Sequence, residues 1–157
     1  MMGRALLIVG WLATLTFVGA GVVGYAVGGW EGGDLHILLG LVACLLLLFS
    51  HTWIMFYLIG TGKAIKVAVA EHDLPAEWIE RTKEFKNRSY PALMLAMVLV
   101  MATFIIGGGV ERRVLPSWLH HGLFYFALIA QIRSLWLEHV VLAGNRQLMD
   151  EAESRLG

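Results

Sequence analysis

HILLGLVACLLLLFSHTWIMFYLIG, residues 36–60, decides the fold. No Asp, Glu, Lys or Arg interrupts it, and it is longer than the about 20 helical residues that cross a hydrocarbon core. Three further stretches share its character, at roughly 5–27, 90–109 and 117–137. None alternates with period two over the lengths a barrel needs, so the spans read as helices, whose backbone groups satisfy one another in lipid. With 58% hydrophobic and only 15% charged residues among 157, the chain is too apolar for an ordinary soluble domain of its size. It therefore reads as an all-α membrane protein. The expected architecture is one four-transmembrane-helix bundle over residues 1–157, with a helical connection between the second and third spans.

Leu6 to Val27 is longer than the core of a secretory signal and lacks a small-x-small cleavage site before a polar stretch, so it reads as a retained first helix. The lone cysteine, Cys44, lies mid-span and reads as a small core residue. Net charge is zero, yet the cations are unevenly placed. If four helices alternate, Arg4, Lys63, Lys66, Arg81, Lys83, Lys86, Arg88, Arg146 and Arg155 fall on one side, with Arg112 and Arg113 on the other. The positive-inside rule then puts both termini and the 61–89 connection in the cytoplasm of a bacterial inner membrane. Lipid is the expected neighbour of these cations, and nothing indicates nucleic acid.

Gly10, Ala13, Gly21, Gly24 and Gly28 share roughly one stripe of the first helix, where a second helix or a flat ligand can approach the backbone. Gly29 to Asp34 forms the outer connection, with Trp30 as an interface anchor. The second helix is expected to continue to about Ala70. Gly60-Thr61-Gly62-Lys63 lacks the spacing of a phosphate loop and reads as a flexible exit from the bilayer. Pro75, with Glu77 and Glu80 early and Lys83 and Lys86 late, marks a separate helix. Trp78, Ile79 and Phe85 give that helix an apolar edge for the inner membrane surface or for a partner subunit. Tyr90-Pro91 is expected to open the third span, and no internal repeat is evident.

Six histidines are the unusual feature of so apolar a chain. Ionisable groups within spans are costly and mark functional sites. His36 and His51 lie near the ends of the second span, and His120, His121 and His139 near the ends of the fourth; only His72 is in a plainly wet stretch. On the deduced topology His36 meets the His120-His121 pair near the outer surface, while His51 and His139 lie towards the cytoplasm. Two facing helices that each offer an imidazole at two levels match the ligand set of a dihaem cytochrome b. His36 to His51 is about 22 Å of rise, and His121 to His139 about 27 Å, so the outer level fits better than the inner. Gly40 and Ala43 follow His36 on its own face and leave room for a porphyrin edge. Capping or snorkelling at the interface is the competing account of these histidines.

Met94, Met97 and Met101, with Met55 one turn beyond His51, permit a different inner site, a His/Met-ligated haem or Cu(I), because thioethers select soft metals. They equally suit core packing. Arg133 is a second costly residue, expected either to snorkel or to meet a haem propionate or lipid phosphate. No hydrolytic triad, zinc-protease motif or clustered di-iron histidine box is present.

In helix number and in histidine placement on the second and fourth spans, the chain resembles small four-helix b-type cytochromes, the quinone-linked membrane anchors of respiratory enzymes. The resemblance is one of arrangement over the spanning region. It implies one or two haems b ligated among His36, His51, His121 or His120, and His139, with Gly40 and Arg133 beside them. It also implies electron transfer between the partner subunits of a larger redox complex and quinone, with no catalysis by this chain itself. Two other functions fit the same residues: a cofactor-free accessory subunit of a respiratory or photosynthetic complex, and a small copper-handling membrane protein.

Overall fold

A computed structural model describes residues 2–26 and 33–156. Four α-helices account for nearly all of them: α1 (Met2–Ala26), α2 (Gly33–His72), α3 (Glu77–Glu111) and α4 (Ser117–Leu156). All four are long and apolar enough to cross a membrane. They run alternately up and down in a ring, each packed on the next, with α2 and α4 also touching across the diagonal. Ile8, Leu15, Phe49, Phe56, Ile105 and Ile129 face outward, each more than half exposed. A bundle in water would bury them, whereas lipid has no cost for them. Gly28 and Trp30 lie outside the described residues.

Three expectations change. α3 is continuous from Glu77 through Pro91 to Glu111, so Pro91 lies inside the helix instead of opening it. Proline lacks an N–H and crowds the preceding turn. Two hydroxyls engage the backbone here: Ser89 Oγ donates to the Phe85 carbonyl and Ser134 Oγ to that of Ala92. The segment around Trp78 is not a separate helix with a free apolar edge either. Trp78 is buried with Ile65, Leu148 and Ala152, so α2, α3 and α4 extend together as a three-helix continuation. The Gly60–Lys63 run is uninterrupted helix, and Gly62 sits against Thr82 and Lys86 of α3. The reversal from α2 into α3 falls at Asp73, whose φ of 50° is the left-handed conformation of a helix end.

The fourth span also reaches further than residue 137. Thr61 Oγ1 donates to Asn145 Oδ1 at 2.9 Å, which sets Asn145 level with the end of the apolar part of α2. Glu138 thus lies well inside the bundle.

An internal repeat emerges once the buried positions are aligned. In α1 and α3, Leu6/Ser89, Gly10/Leu93, Ala13/Ala96, Phe17/Val100 and Ala20/Thr103 are buried at one constant offset. In α2 and α4, Ala43/Ala127, Leu47/Gln131, Ser50/Ser134, His51/Leu135, Ile54/Glu138 and Leu58/Leu142 do the same. The α1–α2 and α3–α4 hairpins are therefore two parallel copies of one packing scheme, a relation that membrane bundles show about an axis along the membrane normal. Identity survives at few positions, which hides the repeat from sequence comparison.

Along the bundle axis, the apolar cluster of Ala13, Phe17, Ala43, Cys44, Leu47, Val100 and Ala127 is followed by a polar layer around His51. A second apolar cluster of Leu6, Ile54, Leu58, Leu93, Val141 and Leu142 lies beyond it.

Candidate functional site

The repeat brings its two first-turn histidines face to face. His36 of α2 and His120 of α4 have ring centroids 6.0 Å apart and ring planes at 82°. Each ring rests on a glycine of the helix before its own. A Cβ on Gly24 would stand 2.7 Å from His36 Cε1, and one on Gly107 2.9 Å from His120 Cε1. Each ring also donates to the carbonyl one turn earlier on that neighbour: His36 Nδ1 to Ala20 at 2.9 Å and His120 Nδ1 to Thr103 at 3.0 Å. A carbonyl oxygen can only accept, so Nδ1 carries the hydrogen and Nε2 of the neutral ring keeps its lone pair. Among the described residues neither Nε2 takes a hydrogen bond.

These rings border an open-mouthed cavity of about 500 Å³ lined by all four helices, within the size range of small-molecule and cofactor sites. Phe17, Gly21, Gly40, Phe104 and Phe124 make its walls apolar, and Glu111 and Arg112 stand at its rim. Gly40 leaves open space: a Cβ there would meet only Phe104, at 3.7 Å. Of the His120-His121 pair it is His120 that faces His36. His121 also borders the cavity but is exposed and packs on the Tyr25 ring, with centroids 4.9 Å apart.

The second level is built differently. His51 is wholly buried, with Nδ1 2.7 Å from Glu138 Oε1 and Nε2 2.8 Å from Gln131 Oε1. Gln131 Nε2 continues to Thr14 Oγ1 at 3.0 Å, and Thr14 donates to the Gly10 carbonyl at 2.8 Å. Both ring nitrogens are therefore occupied by side chains. His139, which the sequence paired with His51, engages a different partner: it is exposed and its Nε2 accepts from Trp11 Nε1 at 3.1 Å. The repeat gives the reason. The α4 position equivalent to His51 is Leu135, and Gln131 and Glu138, one turn to either side of it, clamp the imidazole instead.

Arg133 points away from this layer and from the cavity, on the exposed face of α4 with Ile132 and Trp136. Met94 and Met101 are likewise exposed, and Met97 accepts a long contact from Thr52 at 3.9 Å, so the methionine stripe does not converge on His51. Among the described residues no three His, Cys, Asp or Glu side chains cluster as a metal site would require. Sequence reasoning ended the fourth span at residue 137 and did not single out Glu138, nor Thr103 and Gly107, against which His120 is seated. The signal available was the matching pair of a glycine on one helix and a histidine opening the next.

Compared with protein families, with curated proteins and with solved structures, the chain matches none.

Proposed function

We propose that this protein is a membrane electron-transfer subunit that binds a single haem b between His36 and His120. The observation that carries this is a pair of imidazoles lining one apolar cavity, each with Nδ1–H donated to a backbone carbonyl and Nε2 left with its lone pair. Metal-binding histidines are oriented in this way, their other nitrogen tied to a carbonyl or carboxylate. The two rings stand with centroids 6.0 Å apart and planes at 82°, and His36 and His120 are the residues that would hold the group. Two protein ligands are too few for a bare zinc site but are all that an iron porphyrin needs.

The haem would supply one-electron chemistry. His36 and His120 would hold the group, Gly24 and Gly107 let both rings seat against neighbouring backbone, and Phe17, Phe104 and Phe124 give the cavity apolar walls. Arg112 at the rim suits an anionic edge of the ligand. The inner level supports no second haem, because His51 has no free nitrogen and its repeat equivalent is Leu135. Taken as a bacterial inner-membrane protein, the chain is oriented by its charge asymmetry with the termini and the three-helix extension in the cytoplasm and the histidine cavity on the opposite side. A larger redox complex, with quinone as donor or acceptor, is the setting proposed for this bundle.

A reduced-minus-oxidised spectrum of the detergent-purified chain, with a pyridine haemochrome assay, tests this. The expected result is one haem b per chain, lost in His36→Ala and His120→Ala and kept in His121→Ala. A colourless chain that takes up no added haem, or retention in the His36→Ala/His120→Ala double variant, overturns it.

A further inference from the structure

In the polar layer, the direction of each hydrogen bond follows from the one before it. The Thr14 hydroxyl has one hydrogen and gives it to the Gly10 carbonyl, so its oxygen accepts from Gln131 Nε2. Gln131 Oε1 is then the atom facing His51 Nε2, and a carbonyl oxygen demands a hydrogen on that nitrogen. His51 Nδ1 shares one further hydrogen with Glu138 Oε1. With these assignments the pair is neutral overall.

Two oxygens remain without a partner among the described residues, Glu138 Oε2 and Ser50 Oγ. Their side chains are 0% and 1% exposed. They border the same spot, 3.3 Å and 3.4 Å from where a Cβ on Gly10 would be. Buried polar atoms left so are rare and destabilising.

A second arrangement with the same number of protons satisfies both. His51 Nε2 releases its proton to a water molecule that reaches the layer when the helices part, and Glu138 Oε2 takes one proton from water in return, which it donates to Ser50 Oγ after a turn of the serine side chain or through one water. His51 keeps Nδ1–H, donated to Glu138 Oε1. The Gln131 amide turns over so that Nε2 donates to His51, and Thr14 donates to Gln131 Oε1 instead of to Gly10. The layer is neutral before and after, so the exchange avoids placing net charge between two apolar clusters.

We propose that Thr14, Gln131, His51, Glu138 and Ser50 form a buried proton-exchange site that occupies both of these states, independent of any haem. No other titratable side chain meets the pair among the described residues. α1 presents Gly10 and Thr14, α2 presents Ser50, and α4 adds Gln131 and Leu135. The adjacent His139 is turned to Trp11.

The test uses the full-length chain in nanodiscs. Infrared spectra of wild type and Glu138→Gln should differ by a carboxylic-acid C=O band that is sensitive to deuterium. In Ser50→Ala that band should weaken by several-fold, because the acceptor for Oε2–H is gone. Nitrogen-15 spectra of labelled histidine should show His51 Nε2 moving from partly to fully protonated in the same variant. Ser50→Ala removes only a hydroxyl, so the test does not depend on Glu138→Gln folding. A His51 Nε2 signal identical in wild type and Ser50→Ala, or no acid band assignable to Glu138, overturns the proposal.

Discussion

Gly24→Ala places a methyl carbon 2.7 Å from Cε1 and 2.8 Å from Nδ1 of His36. Ordinary carbon contacts are about 3.5–4.0 Å, so the imidazole must retreat by roughly 1 Å. That movement breaks the 2.9 Å donation from Nδ1 to the Ala20 carbonyl, a bond with a net worth of about 0.5–1.5 kcal/mol. It also turns Nε2 away from the cavity centre, and disturbing the partner that orients a ligating histidine weakens metal binding by about 10–100-fold. Gly107→Ala is the internal comparison. Its methyl would stand 2.9 Å and 3.2 Å from His120 Cε1 and Nδ1, so its effect should have the same sign and be smaller. Gly19 has nothing within 4 Å; Gly19→Ala should leave binding unchanged and stabilise α1 by up to about 1 kcal/mol through helix propensity. Haem titration of the three variants, followed at the Soret band, reads the order directly. Wild-type affinity in Gly24→Ala, or an equal loss in Gly19→Ala, would refute the seating of the rings on glycine.

His51→Leu strands Glu138 and Gln131 in the interior and should cost about 3–5 kcal/mol in unfolding experiments; adding Glu138→Leu should recover most of it, because the uncompensated carboxyl is then removed. Trp78→Ala opens a void in the three-helix extension, where Trp78 is only 5% exposed. The expected loss is about 3–5 kcal/mol, read as faster proteolysis within 61–89 and 146–156 while the spans stay protected. The hydrogen bond from Arg81 holds the Glu151 carboxyl below its ordinary range, with Gln147 assisting. Because that shift is downward on folding, its contribution is present above the ordinary carboxylate range and is lost as pH falls through the lowered value. Melting temperature should therefore drop with acidification across that window, by less in Arg81→Gln.

The four spans were legible because length and apolarity alone identify a membrane helix. Misreadings came where a tertiary partner overrode a local signal. Pro91 looked like a helix start because proline favours first turns, yet α3 carries it inside a long helix packed on α4. Arg133 drew attention as the costly charge of the fourth span, while Glu138 lay a turn and a half away on the opposite face and was the buried one. Whether His120 or His121 faces α2 depends on the rotation of α4, which is fixed by Ala127, Gln131, Ser134 and Leu135 and not by histidine spacing. The repeat was hidden because its equivalences pair unlike residues, such as His51 with Leu135.

Every ring-to-ring and ring-to-carboxyl pairing described here takes one member from each hairpin. His36 and His51 arrive with the first, His120, Gln131 and Glu138 with the second. Neither half owns a complete site. A chain severed at the short turn between His72 and Glu77 should consequently behave as two complementing fragments, inert when produced singly and competent when made together, with their reassociation driven by the polar layer that neither can satisfy alone.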